Sequence, residues 1–182
     1  MRKLTYQEIF SNRPSLIELS KKERFPLYTL CENVRSLYNV GSIFRTSDAV
    51  RLKKLFLTGY TGFPPRKEID KTALGSVESV EWERYENPFD AVTLLKKQKV
   101  PLIALEHTSE SIPYYEFEFS FPFCLLLGNE VDGLTEELIA ESDSAIEIPM
   151  FGLKQSLNVS VAYGVIMYHV LGEMLRDNKL YI

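Results

Sequence analysis

Cysteine and histidine are scarce in this chain, which has two of each among its 182 residues. Cys31 and Cys124 are far apart, and no Cys-x-x-Cys pair is present. So few ligands of these types exclude a zinc centre, and we expect no metal. The first residues lack the apolar core of a signal peptide. Two isolated cysteines without such a signal indicate a reducing compartment, so a cytoplasmic protein is expected.

Long apolar runs are also missing. None approaches the roughly 20 residues of a membrane span, so we expect no membrane association. The fingerprints GxGxxG and GxxxxGK[ST] are absent too, which argues against a dinucleotide or nucleoside triphosphate site. The apolar and charged fractions, 45% and 25%, are those of an ordinary globular protein. We find no repeat or linker and expect one domain over residues 1–182, with a short basic helical extension over about residues 1–25.

Positive charge is concentrated in the first part of the chain. Residues 1–71 hold 14 Lys/Arg and 7 Asp/Glu, whereas the rest holds 7 and 18, for a net charge of −4. This asymmetry is expected where one part of a protein faces a polyanion, although charges also segregate by chance on solvated faces. The basic residues form no continuous tail, so only folding can assemble them into one surface.

Short apolar strands alternate with amphipathic helices. Strands are predicted at residues 25–30, 54–58, 80–85, 101–105, 123–127 and 145–149. Helices are predicted at 5–24 (one or two), 40–50, 68–74, 88–98, 135–141 and 156–176. This alternation predicts an α/β fold: a mainly parallel sheet with helices on both faces.

Three polar clusters lie where such a sheet places its ligands. In the first, Asn39 is predicted to cap a helix, and Arg45 follows about one and a half turns later. An arginine there suits a phosphate or a ribose, but an ion-paired surface arginine fits the motif equally well. In the second, Gly128 ends a strand and would let a ligand approach the backbone, with Glu130 on the following loop. A plain strand-to-helix connection is equally consistent with that segment.

The third cluster, residues 148–162, is the most informative. A strand breaks at Pro149, and Ser156, Asn158 and Ser160 then open a helix, where backbone N–H groups have no intrahelical partner. One polar residue would suffice as a cap. Three within five residues therefore predict a ligand site.

Taken together, these clusters resemble, in order, the three motifs of the SpoU (TrmH) branch of the SPOUT RNA methyltransferases. The resembling segments are 39–45, 128–133 and 148–160, and the resemblance covers roughly residues 27–175. Residues 104–108 also resemble the family's loop beside the cofactor. The resemblance implies a ribose 2′-O-methyltransferase that uses S-adenosylmethionine. It further implies a deep trefoil knot in the C-terminal part, and a homodimer whose active site is completed across the interface.

The resemblance also implies roles for individual residues. Those matching the cofactor contacts or lying beside them are Gly128, Ile148, Leu157, Leu105, Glu106 and Met150. Those matching the catalytic arginine, its motif partner and the polar residues around the reacting ribose are Arg45, Asn39, Glu130, Ser156 and Asn158. A free guanidinium holds its proton beyond about pH 12. We therefore expect Arg45 to grip the 3′ phosphate and ribose, while Glu130 polarises this arrangement or accepts the proton.

Several functions remain open at the level of sequence. A tRNA substrate is favoured because minimal members of the family often act on tRNA, and an rRNA substrate is the alternative. A catalytically idle RNA-binding paralogue is disfavoured, since Arg45, Glu130, Ser156 and Asn158 are all present. A nucleotide-binding oxidoreductase is disfavoured by the missing phosphate fingerprint. The aromatic and basic stretch 59–75 is either an RNA-facing loop or a plain surface loop.

Overall fold

A seven-stranded, wholly parallel sheet forms the centre of the computed structural model, which describes residues 1–176. Its strands are β1 (Phe25–Glu32), β2 (Leu52–Thr58), β3 (Trp82–Tyr85), β4 (Leu102–Leu105), β5 (Ile112–Pro113), β6 (Phe123–Leu127) and β7 (Ser144–Glu147). Their order across the sheet is β3-β2-β1-β6-β4-β7-β5, and every pair is parallel. All strands therefore end at the same edge of the sheet, where the loops with the candidate residues begin.

Seven helices lie in the described part of the chain. They are α1 (Tyr6–Ser11), α2 (Leu16–Lys21), α3 (Leu37–Ala49), α4 (Lys67–Ala73), α5 (Pro88–Lys97), α6 (Glu136–Ala140) and α7 (Val159–Arg176). Helices α3, α4 and α7 share one buried apolar cluster, while α5 and α6 belong to a second. The two clusters lie on opposite faces of the sheet, so the predicted α/β architecture is confirmed.

The central strands are apolar throughout because both of their faces are covered. In β1, Leu27 and Cys31 belong to the first cluster, and Leu30 belongs to the second. Every residue of β6 is buried. Such continuous apolar runs are easily recognised in a sequence. In contrast, β5 has only two residues, and the sequence did not predict it.

Two helix starts differ from the sequence-based prediction. Helix α3 begins at Leu37 because the Ser36 hydroxyl caps it, accepting from the Asn39 backbone N–H at 3.3 Å. The prediction that Asn39 is the cap is therefore wrong. Helix α7 begins at Val159 rather than at Ser156. Its cap is Asn158, whose side-chain oxygen accepts from the backbone N–H groups of Ser160 at 2.9 Å and Val161 at 3.3 Å.

A buried polar contact joins α7 to α3 and β1. The Tyr163 hydroxyl lies 2.8 Å from the Ser47 hydroxyl and accepts a hydrogen bond from the Thr29 hydroxyl at 3.2 Å. All three residues are fully buried, and burial raises the pKa of the Tyr163 phenol. The phenol therefore stays neutral and keeps its proton for this contact.

Strand β6 enters the sheet between β1 and β4, both of which precede it in the chain. The trefoil knot implied by the resemblance stays a prediction. Among the helices of residues 1–176, none has both the length and the apolar character needed to cross a membrane.

Candidate functional site

A cavity of ≈ 230 Å³ lies at the carboxyl edge of the sheet. Its walls come from the ends of β4, β6 and β7 and from the segment that leads into α7. Eight of the eleven predicted site residues line it: Leu105, Glu106, Gly128, Glu130, Ile148, Ser156, Leu157 and Asn158. The fold thus brings together residues that are more than 50 positions apart in the sequence.

Asn39 does not line the cavity, but it joins two residues that do. Its side-chain N–H donates to Glu130 Oε1 at 2.7 Å, and its side-chain oxygen accepts from Asn158 Nδ2 at 3.0 Å. Because Asn158 also caps α7, one continuous set of hydrogen bonds runs from the loop after β6 to the start of the last helix. Each of the three motif segments contributes one residue to this set.

The Glu130 carboxylate accepts hydrogen bonds from three donors. The backbone N–H groups of Arg35 and Ser36 donate at 2.9 and 3.0 Å, in addition to the Asn39 side chain. Partial burial alone would raise the pKa of Glu130, but these hydrogen bonds outweigh it, and the pKa is lowered. A carboxylate that is stabilised in its charged form is a weak base. Glu130 is therefore better suited to fixing the start of α3 than to accepting a proton.

Packing requires glycine at position 128, and the expectation that it also lets a ligand approach the backbone stays a prediction. A Cβ at this position would lie 2.2 Å from Gly133 C and from Leu134 N, because the loop folds back over the end of β6. Residues Asn129 and Gly133 form a bridge across this loop. The Gly128 backbone still forms part of the cavity wall.

The Glu106 side chain supports the same loop. Its carboxylate accepts from the backbone N–H of Leu134 at 3.0 Å and from that of His107 at 3.0 Å. Gly133 adopts a φ of +71°, and a Cβ there would lie 2.2 Å from Glu106 Oε2. Glu106 is therefore at the predicted place, with its carboxylate bound to backbone groups of the protein.

Sequence reasoning missed Asn129 and Glu147. Asn129 is 7% exposed, and its side-chain N–H groups donate to the Asn33 carbonyl at 2.9 Å and to the Tyr60 hydroxyl at 2.8 Å. Glu147 is the last residue of β7 and lines the cavity. Both are polar residues at the carboxyl end of a predicted parallel strand, and that position alone would have justified including them.

Arg45 and Met150 lie outside the cavity lining. Arg45 is on the solvent-facing stripe of α3 with Tyr38 and Ser42, whereas Asn39 is on the buried side of the same helix. Within residues 1–176, Arg45 makes no hydrogen bond or ion pair through its side chain. The structure thus separates the predicted arginine from the cavity of its own chain.

The cavity suits a ligand with positive charge and a flat apolar part. Three carboxylates, those of Glu106, Glu130 and Glu147, belong to the lining, which contains no Lys or Arg and one histidine, His107, next to Glu147. Leu105, Leu127, Ile148 and Leu157 supply apolar surface beside them. A sulfonium-containing nucleoside has both properties, so the predicted S-adenosylmethionine fits the residues present.

Comparison with known proteins identifies the family. The sequence profile described as the SpoU rRNA Methylase family matches residues 26–168. This chain belongs to the SpoU family. The family prediction made from the three motifs is therefore confirmed, and the matched residues include the three motif segments up to residue 160.

Two curated SpoU relatives are tRNA (guanosine(18)-2′-O)-methyltransferases. The enzyme of Aquifex aeolicus is 34% identical over 165 residues, covering 90% of this chain and 76% of the relative. That of Escherichia coli K12 is 35% identical over 164 residues, covering 86% and 71%.

Solved structures of RNA-modifying enzymes are also similar to this chain. The A. aeolicus TrmH/SpoU tRNA modifying enzyme matches with a TM-score of 0.80 at 31% identity, covering 90% of this chain and 82% of that one. An rRNA methyltransferase from Sinorhizobium meliloti, solved with AdoMet bound, matches with a TM-score of 0.73 at 31% identity, covering 81% and 56%.

Proposed function

We propose that the protein is a methyltransferase that transfers a methyl group from S-adenosylmethionine to a ribose 2′-OH of tRNA. The observation that carries this proposal is the meeting of the three SpoU motif segments at one cavity, through the hydrogen bonds of Asn39. The tRNA substrate is supported by the two relatives described above. Residues 1–182 would act as one domain in the cytoplasm, where the buried thiols of Cys31 and Cys124 stay reduced.

The chemistry requires positioning more than it requires a strong base. S-Adenosylmethionine supplies a methyl group on a sulfonium, and transfer to the 2′ oxygen is an in-line displacement that depends on alignment. Arg45 would grip the phosphate and ribose, and the ribose proton would leave as the new bond forms. Because the pKa of Glu130 is lowered, its role would be to hold Asn39 and the start of α3 in place. Ser156 and Asn158 would face the ribose from the start of α7.

A second copy of the chain would complete the site. Arg45 lies on the exposed stripe of α3 and outside its own cavity. Near the cavity, the loop leading into α7 exposes Phe151 by 95% and Leu153 by 102%, and α7 exposes Tyr168 by 56%. Apolar surface of this extent is typical of an interface. A homodimer that covers it would bring Arg45 of one subunit to the cavity of the other.

Mixed dimers test this arrangement. Arg45→Ala and Asn39→Ala subunits, which we expect to be inactive alone, would be combined after partial denaturation or by co-expression. If Arg45 acts across the interface, the mixed dimer contains one fully intact site, and up to about half of the activity per mixed dimer returns. If Arg45 acts within its own chain, each site has one defect and no activity returns, which would contradict the proposal.

RNA would contact the surface formed by the start of α3, the loop after β2 and α4. Tyr60 is 59% exposed next to the cavity, where its hydroxyl is held by Asn129. Tyr38 is 48% exposed, with Lys71 Nζ 6.0 Å from its ring centroid. Further exposed basic residues on this surface are Arg35, Arg66 and Lys67. Aromatic rings among basic side chains suit unpaired nucleotides and their phosphates.

Other basic residues are at the opposite edge of the sheet and have acidic partners. Arg24 lies 3.3 Å from Glu81 Oε1, and Lys54 lies 2.7 Å from Glu83 Oε1.

Substitution of basic residues tests the RNA surface. The double substitution Arg66→Glu with Lys67→Glu should raise the KM for RNA at least tenfold, because phosphate contacts dominate affinity. Lys53→Glu, at the opposite edge, is the matched control and should leave this KM nearly unchanged. Equal effects of the two changes on this KM would contradict the proposed RNA contact at this surface.

The decisive experiment incubates the protein with radiolabelled S-adenosylmethionine and separate tRNA and rRNA pools, followed by mapping of the methylated nucleoside. Methylation of a ribose in tRNA is the expected result. Methylation of rRNA alone would replace the substrate in this proposal. Bound cofactor without transfer to either pool would instead support a catalytically idle RNA-binding protein.

A further inference from the structure

The segment 151–157, here called the wall loop, forms one side of the cavity with little to hold it in place. Ser156 and Leu157 line the cavity, yet all seven residues of the loop are exposed. Within residues 1–176, the loop makes one hydrogen bond to the rest of the chain. That bond joins the Gln155 carbonyl oxygen to His107 Nε2 over 3.2 Å.

The same imidazole ring also contacts Glu147, another residue of the cavity lining. His107 Nδ1 lies 3.3 Å from Glu147 Oε2, at the end of β7. Glu147 Oε2 also accepts a hydrogen bond from the Ser111 hydroxyl at 2.7 Å, so its position is fixed independently of His107. His107 thus connects the wall loop to the sheet through a carboxylate that is itself anchored.

Both partners of the ring are acceptors. A carbonyl oxygen and an ionised carboxylate each need a donor, and a neutral imidazole has one N–H group whereas an imidazolium has two. Only the protonated ring can therefore make both hydrogen bonds. After loss of the proton, one of the two contacts brings together two acceptors.

We propose that His107 is a positioning residue for cofactor binding: as an imidazolium it fastens the wall loop to Glu147 and holds Ser156 and Leu157 in the cavity wall. The proposal rests on the proposed function, in which S-adenosylmethionine occupies this cavity. His107 itself also lines the cavity.

Two carboxylates and one exposed lysine are the charged groups around the ring. Glu147 faces it from β7, and Glu106, which precedes it, accepts its backbone N–H at 3.0 Å. The wall loop has one charged residue, Lys154, which is exposed and makes no ion pair within residues 1–176. Because only the imidazolium can make both contacts, cofactor binding should tighten as the pH is lowered.

The experiment measures the Kd of the full chain by calorimetry at about pH 6 and about pH 8. Two ligands are compared: S-adenosylmethionine, which carries a sulfonium charge, and S-adenosylhomocysteine, the uncharged thioether. Binding of both should weaken by a similar factor at the higher pH, roughly threefold to tenfold, because the ring loses one of the two hydrogen bonds that connect the wall loop to Glu147. Repulsion between an imidazolium and the sulfonium would act on S-adenosylmethionine alone, and it would weaken binding at the lower pH instead.

Two variants assign the effect to one ring. His107→Gln keeps a side-chain donor but does not titrate, so the Kd should become nearly independent of pH. His169→Gln removes the other histidine of the chain, on α7, and should preserve the pH dependence of the wild type. A pH-independent wild-type Kd, or an unchanged pH dependence in His107→Gln, would overturn the role of His107.

A separate readout keeps this inference distinct from the proposed function. Failure of both ligands to bind at any pH, with the protein folded by circular dichroism, would show that the cofactor assignment is wrong and would overturn this inference with it. Binding that is tight but insensitive to His107 would remove only the inference. Transfer of methyl groups to RNA is not needed for either conclusion.

Discussion

The side chain of Asn39 donates to Glu130 and accepts from Asn158, at distances of 2.7 and 3.0 Å. A primary amide is well suited to this place, because its two ends have opposite hydrogen-bonding character. The orientation is set from both sides: a carboxylate needs the N–H, and the Asn158 amide needs the oxygen. Asn39 therefore fixes the relative positions of the loop after β6 and the start of α7.

Substitution of Asn39 should show that its side chain donates to Glu130 and accepts from Asn158. Asn39→Ala removes both hydrogen bonds and should lower the free energy of unfolding by about 1–2 kcal/mol, since Glu130 is partly exposed. Asn39→Asp keeps the acceptor but places a second carboxylate against Glu130, so it should destabilise the protein more than alanine at neutral pH. Urea denaturation of both variants is the check. An aspartate variant as stable as wild type would contradict the assigned orientation.

Glu130 should make stability depend on pH. Its pKa is lower in the folded protein than in the unfolded chain, where a glutamate titrates near about pH 4.3. Its contribution is therefore fully present above the unfolded value and is lost as the pH falls through the lower, folded value. Wild type should lose more stability than Glu130→Gln between about pH 6 and about pH 3. Parallel stability curves for the two proteins would count against these hydrogen bonds.

Gly128 and Gly152 form a matched pair for substitution by alanine. A Cβ at Gly128 meets the backbone of Gly133 and Leu134 at 2.2 Å, whereas a Cβ at Gly152 has no neighbour within 4 Å. Gly128→Ala should therefore displace the loop, lower the thermal midpoint by several degrees and weaken cofactor binding. Gly152→Ala should be nearly neutral in both measurements. Similar behaviour of the two variants would mean that the loop yields without cost.

Tyr163→Phe tests the buried contact between α7, α3 and β1. Loss of the hydroxyl leaves the Ser47 and Thr29 hydroxyls without this partner inside the core. We expect a loss of about 1–3 kcal/mol in the free energy of unfolding. Tyr168→Phe, five residues later and 56% exposed, is the control and should change stability by less than about 0.5 kcal/mol.

Arg45→Ala should abolish methyl transfer while leaving cofactor affinity within a few-fold of wild type. Cofactor affinity should be preserved because Arg45 is exposed on α3 and does not line the cavity of its own chain. Transfer should be lost because Arg45 is the residue proposed to grip the phosphate and ribose. Single-turnover transfer and calorimetric binding measure the two properties separately. Wild-type turnover in this variant would exclude Arg45 from catalysis.

The sequence predicted the strands well because the interior of a parallel sheet requires apolar residues without interruption. Each residue of β6 faces one of two apolar clusters, so no polar position obscures the strand. Helix starts were harder to predict. Ser36 and Asn39 are both good caps, and the choice between them depends on Glu130, which is 91 residues further along the chain and binds the Asn39 side chain.

The sequence predicted which residues form the site better than it predicted the contacts that they make. The resemblance to the family predicted that Glu106, Gly128 and Glu130 belong to one site, and all three line the same cavity. It gave no indication that the Glu106 carboxylate binds the backbone of Leu134, because that contact depends on how the loop after β6 folds back. Nor did it show that Arg45 lies outside the lining of its own cavity.

The double role of Asn158 limits which residues this position tolerates. Helix capping alone would accept serine, threonine or aspartate nearly as well as asparagine. The contact with Asn39 additionally requires a donor that extends beyond the cap, and among these four residues only asparagine has an N–H group to supply it. Aspartate would cap α7 while repelling the Asn39 oxygen, and serine would be too short to make both contacts. A substitution that leaves the helix intact can therefore still disconnect the site, so helicity measured by circular dichroism would not reveal the damage.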